Sequence, residues 1–174
     1  NDVRFDCLDC HGPFLYAIGD GNKTFIIENC SFFNIPEIEL LHPRKMLNPI
    51  IKGCQFKGLL QQQNRTKETI SLNRFYECIG DIVFEGNEVH NCFGIAVSGI
   101  GYSKNDDVDV SIRSNKIWNV SNGGVVFNGG EVPNVIVEKN EISNVFCFGP
   151  QFIEDKGNAE NSAINFHGFH HLKI

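Results

Sequence analysis

The residues best suited to chemistry lie in the C-terminal part of the chain, where Glu154, Asp155 and Lys156 shortly precede Asn165 and His167. Two carboxyl groups can divide the roles of general acid and general base when their surroundings push their pKa values apart. A cation and a base can instead act together on a carbon acid. Lys156, Arg65 or Arg74 would then neutralise a substrate carboxylate, while His167 or a lysine takes the proton. Glu154, Asp155 and His167 are therefore the candidate catalytic residues, set against the plainer reading that Glu154-Asp155-Lys156 is a solvated loop tip.

Three other clusters carry less. His167, His170 and His171 with a carboxylate would make a zinc site, but alternation places only His167 on an outward strand face and puts His170 and His171 in a turn. Asp106, Asp107 and Asp109, following Tyr102-Ser103-Lys104-Asn105, offer clustered oxygens suited to calcium without the spacing of an EF-hand. Calcium is the one cofactor these residues suggest, and a plain polar loop is the alternative. Cys7-Leu8-Asp9-Cys10-His11 matches the C-x-x-C-H string of covalent haem attachment. No axial partner is placed nearby, so the match reads as a coincidence of spacing.

Bulk composition bounds what these residues can serve. The chain has 174 residues, 41% hydrophobic and 21% charged, which suits one ordinary domain with a real core. Fifteen basic against 21 acidic residues give a formal charge of −6, which argues against bulk attraction to nucleic acid or anionic lipid. No apolar run approaches the length of a membrane span. The seven cysteines are an odd number, and few disulfides are expected because buried free cysteine behaves as a small hydrophobe.

The elements that must position any site are set by a recurring phrase: apolar, x, apolar, x, x, Asn or Cys, x, apolar, x, Asn or Gly. It reads Phe25-Ile27-Cys30-Phe32-Asn34, Pro49-Ile51-Cys54-Phe56-Gly58, Ile82-Phe84-Asn87-Val89-Asn91, Val110-Ile112-Asn115-Ile117-Asn119 and Val135-Val137-Asn140-Ile142-Asn144. The marked Asn or Cys recurs after 24, 33, 28 and 25 residues, so strands keep register while loops vary, as in a solenoid. Apolar and polar residues alternate with period two, the strand signal. Terminal Asn and Gly suit bends with positive φ. A second alternating stretch follows each phrase, at Leu15-Ile18, Ile70-Asn73, Ile95-Ser98, Val125-Asn128 and Ile164-His167, which predicts three strands per coil and about six coils. Leu172 and Ile174 restart the phrase in the columns of Val135 and Val137, so the chain is expected to be a segment of a longer β-helix.

This pattern resembles the right-handed parallel β-helix of the pectin-lyase-like superfamily, secreted proteins that process polysaccharides. The resemblance covers nearly the whole chain and is specific for fold rather than activity. In its terms the strand before the Asn/Cys ladder is PB2, the strand after it PB3 and the second stretch PB1. It implies a substrate groove on the outer face of PB1, where Tyr16, Ser71, Asn73, Ala96, Ser98, Val126, Asn128, Asn165 and His167 are expected to point outward. Asn73, Arg74, Ser98, Tyr102, Asn128, Lys156 and Asn165 are the candidate substrate-binding residues. The long loops from Gly58 to Glu68 and from Val145 to Ser162 would border the groove. The implied partner is a polysaccharide or oligosaccharide and the implied location extracellular, cell-surface or periplasmic. Hydrolase and lyase chemistry both stay open, beside a non-catalytic carbohydrate-binding or adhesin-like β-helix.

Overall fold

The computed structural model of the chain describes residues 3–10, 13–36, 38–59, 71–102, 107–121, 123–128, 132–146, 164–166 and 169–173. Among them there is no helix, and thus none long and apolar enough to cross a membrane. The strands form three all-parallel sheets of six strands each, and every third strand in the chain is adjacent in a sheet. The chain therefore winds through PB3, PB1 and PB2 in turn and returns one layer along: a parallel β-helix.

PB2 holds Thr24–Glu28, Leu47–Lys52, Gly80–Glu85, Val108–Arg113, Val132–Glu138 and Phe169–Lys173. PB3 holds Val3–Asp6, Cys30–Ile35, Gln55–Gly58, Glu88–Cys92, Lys116–Ser121 and Glu141–Phe146. PB1 holds Leu15–Ile18, Leu41–Arg44, Ser71–Tyr76, Ile95–Ile100, Val125–Asn128 and Ile164–Phe166. Each sheet counts six strands, and the stack amounts to roughly four coils rather than the six expected. Val3, Leu8, Leu15, Tyr16, Ile18 and Ile26, the exposed large apolar side chains among the described residues, all sit in the first layer.

The ladder behaves as its chemistry requires. The Asn115 side-chain oxygen accepts the Asn87 backbone N–H at 2.9 Å, and the Asn140 oxygen accepts that of Asn115 at 3.0 Å. Each amide nitrogen donates to a carbonyl of the preceding coil: Asn87 to Ile51, Asn115 to Phe84 and Asn140 to Ile112. Backbone groups in a buried turn are thereby satisfied, where each orphan would cost about 1–3 kcal/mol. Cys54 occupies the same column; its N–H is taken by Asn87, but its thiol can only donate weakly to Lys52 and Ile27 carbonyls.

Where cysteine replaces asparagine, aromatic stacking takes over. Phe5, Phe32 and Phe56 lie in register on PB3 with ring centroids 5.0 and 5.2 Å apart, both pairs stacked, and Phe32 and Phe56 are buried. The phrase-final asparagines form a second, outer ladder. Asn34, Asn91, Asn119 and Asn144 all adopt positive φ, and Asn144 donates to Asn119 while Asn119 donates to Asn91. Leu172 pairs with Val135, as the restarted phrase predicts.

Two placements differ from expectation. His170 and His171 lie within a PB2 strand, not in the turn before it, because the strand begins at Phe169. Asp109 lies in PB2 as well, where its carboxylate accepts a hydrogen bond from Asn134 at 2.8 Å instead of joining a loop cluster.

Candidate functional site on the outer face of PB1

Register fixes which PB1 side chains share a column. Tyr16 pairs with His42, and the pairs Leu41–Asn73 and Arg44–Tyr76 bring His42 beside Arg74. Arg74 pairs with Ser98, Ser98 with Val126, and Val126 with Asn165. The outward column is therefore Tyr16, His42, Arg74, Ser98 and Val126, with Asn165 next in strand register, flanked by a second column of Arg44, Tyr76 and Ile100, with Asn128 next in register.

Asn73 is one residue out of phase with that column. It stands in register with Leu41 and Val97, is fully buried, and donates to the Ala96 carbonyl at 3.0 Å while its side-chain oxygen has no partner. Ser71, expected outward with it, stands in register with Ile95 and shares the phase of Asn73, so neither belongs to the outer row. Tyr102 is also corrected. It packs in the core at 5% exposure with its hydroxyl donating to the Phe75 carbonyl. Gly99 makes room for this arrangement, because a Cβ there would fall 2.3 Å from the Phe127 ring and 2.4 Å from the Tyr102 hydroxyl.

Along the outward column accessibility falls. Tyr16 is 46% exposed, whereas Ser98 and Val126 are only 7% and 2% exposed. Among the described residues of this column, the first three layers present the open face. Asn128 and Asn165 occupy their predicted strand positions. Glu154, Asp155, Lys156 and His167 lie outside the described residues, as do Arg65 and nearly all of both long loops.

The open layers carry a constellation that the sequence reading did not single out. Glu39, in the turn entering PB1, sits 2.9 Å from His42 Nδ1 and accepts a hydrogen bond from Arg74. Burial by itself would raise the Glu39 carboxyl, but His42 and Arg74 outweigh it and hold the group below its ordinary value. His42 lies edge-on to the Tyr16 ring at 4.8 Å and to the Tyr76 ring at 6.0 Å. Its Nε2 is shielded and has no hydrogen-bond partner. Both guanidiniums lie over Tyr76, Arg44 at 4.8 Å and Arg74 at 5.6 Å. Arg44 is held even more firmly protonated than usual, chiefly by the Tyr16 hydroxyl and then by Glu77.

Glu77 links this face to a cleft at the turn between PB1 and PB2. Its Oε2 lies 3.4 Å from Arg44 Nε on one side and 3.7 Å from Lys45 Nζ on the other. The cleft, about 630 Å³, is lined by Gly19, Asp20, Gly21, Lys45, Glu77, Ile79 and Gly101. Such a volume falls in the range of small-ligand sites.

No protein-family profile, curated protein or solved structure matches the chain. Its chemistry must therefore be read from the side chains. Among the described residues no group of three or more His, Cys, Asp and Glu side chains could hold a metal ion. What the open layers provide is two aromatic faces, two guanidiniums already paired with carboxylates, and a carboxylate-oriented imidazole.

Proposed function

We propose that the chain is a secreted, carbohydrate-active β-helix of the pectin-lyase-like kind that binds a polysaccharide along the open layers of PB1. The observation that carries this reading is the exposed Tyr16 ring at the head of a column in which His42 and Arg74 follow in successive layers, with Tyr76 beside Arg74 in the flanking column. Layers repeat at about 4.8 Å, so an extended oligomer lying across them meets a new side chain at each step. Tyrosine offers an apolar ring to a sugar face and a hydroxyl to its rim. Because Glu39 engages Arg74 and Glu77 engages Arg44, the face holds little uncompensated charge, which favours a neutral or lightly charged glycan. The adjoining cleft, with Lys45, Asp20 and Glu77 on its wall, suits a hydroxyl-rich branch.

The Glu39–His42 couple favours a second reading, cleavage. A carboxylate that receives the Nδ1 proton leaves Nε2 as a proton acceptor, the orientation a general base needs. Incubation with plant, algal and host glycans separates the readings. Retention on a glycan column without product supports binding. Ultraviolet-absorbing unsaturated uronates would indicate a lyase, and new reducing ends alone a hydrolase. Absence of both retention and products across the panel would overturn the carbohydrate reading.

A further inference from the structure

Cys7 and Cys10 stand apart from the thiols buried in the coil stack. Cys54, Cys78 and Cys92 are buried in the coil stack, and each donates to a backbone carbonyl within it: Cys54 to Lys52 at 3.3 Å, Cys78 to Pro43 at 3.4 Å and Cys92 to His90 at 3.2 Å. Cys7 and Cys10 close a tight turn in the first layer instead. The Cys10 N–H donates to the Cys7 carbonyl at 3.0 Å, and the Leu8 N–H is held by the Asp6 carboxylate at 3.1 Å. Cys7 is fully buried, with its N–H donated to Phe33 of the next layer, while Cys10 is half-buried against the same core.

We propose that Cys7 and Cys10 are a thiol–disulfide exchange site that closes to an intramolecular disulfide on meeting a small-molecule disulfide such as oxidised glutathione. A hydrogen-bonded turn brings its first and fourth Cα atoms within about 7 Å, and a disulfide spans about 4.4–6.8 Å between Cα atoms. The two thiols also sense each other: burial first, then the neighbouring Cys10 thiol, pushes Cys7 up to about 12. Cys10, the more accessible sulfur, attacks first. Its thiolate displaces one glutathione thiolate and forms a mixed disulfide. The Cys7 thiolate then attacks the Cys10 sulfur and expels the second glutathione. Two thiols lose two protons and two electrons, and one glutathione disulfide becomes two glutathione thiols. Because Cys7 is fully buried, its attack is the slow step and the mixed disulfide is visible on the way.

The test uses the whole folded chain, reduced and then incubated without denaturant in a mixture of oxidised and reduced glutathione. It is quenched in acid, alkylated with a maleimide after unfolding and mapped by mass spectrometry. The expected product is lighter by two hydrogens, with the peptide carrying Cys7 and Cys10 free of both maleimide and glutathione after the mixed disulfide has decayed. Cys10→Ser should abolish that product with an unchanged circular dichroism spectrum, whereas Cys54→Ser should leave it. Maleimide on both Cys7 and Cys10, glutathione persisting on Cys10, or a bridge from either residue to Cys30 would each overturn the proposal.

Discussion

Tyr16 and His42 pair across adjacent PB1 strands with their rings edge to face, centroids 4.8 Å apart. The imidazole thus props a tyrosine that is 46% exposed, and the aromatic surface faces outward instead of folding onto the sheet. Tyr16→Ala should weaken glycan retention by roughly tenfold, the equivalent of about 1.4 kcal/mol. Stability should change by no more than about 0.5 kcal/mol, the range expected of surface changes, in a parallel thermal melt.

Glu39 gives the face a pH signature. Its carboxyl is lowered in the folded state, so its contribution to stability is complete above the ordinary carboxyl value of about 4.3 and fades as pH falls through the folded value. Urea midpoints measured from about pH 6 down to about pH 3 should therefore drop more steeply for the wild type than for Glu39→Gln. Parallel curves would mean that His42 and Arg74 do not stabilise the ionised carboxyl.

The inner ladder should be far more costly to break than the outer one. Asn115→Ala strands the Asn87 N–H and the Phe84 carbonyl in a buried turn, for an expected loss of about 2–4 kcal/mol. Asn144→Gly keeps the positive φ, removes only an exposed amide pair with Asn119 and should cost under about 1 kcal/mol. Chemical denaturation of the two variants beside the wild type gives the comparison directly.

Asn73 offers a test of the corrected strand phase. Its side-chain oxygen is buried without a partner in a column otherwise built by Leu41 and Val97. Asn73→Leu should change stability by less than about 1.5 kcal/mol in either direction and leave glycan retention untouched. A large loss of retention at full stability would return Asn73 to the outer face.

The coil-to-coil scaffold was legible because its signals are chemical and periodic. Phe32 and Phe56, and likewise Asn87 and Asn115, hold the same place in successive copies of the phrase and meet coil to coil as that place predicts. The PB1 face was harder to read for two physical reasons. Ser71, Leu72 and Asn73 are all buried, so alternation does not say which of them points inward. The Leu41–Arg44 strand carries Pro43, which donates nothing to a sheet and ordinarily argues against an interior strand. That proline hid His42 and Arg44, and with them Glu39. A polar residue alternating with buried Leu41 and Pro43 was the signal that pointed to them.

Calorimetric titration of the wild type and of Tyr16→Ala/Tyr76→Ala with an oligosaccharide drawn from a glycan panel tests the central claim most directly. The account predicts saturable binding by the wild type and at least about a tenfold loss in the double variant, with both proteins equally folded. Binding that survives intact in the double variant, or a wild type that takes up no glycan in the panel, would contradict it.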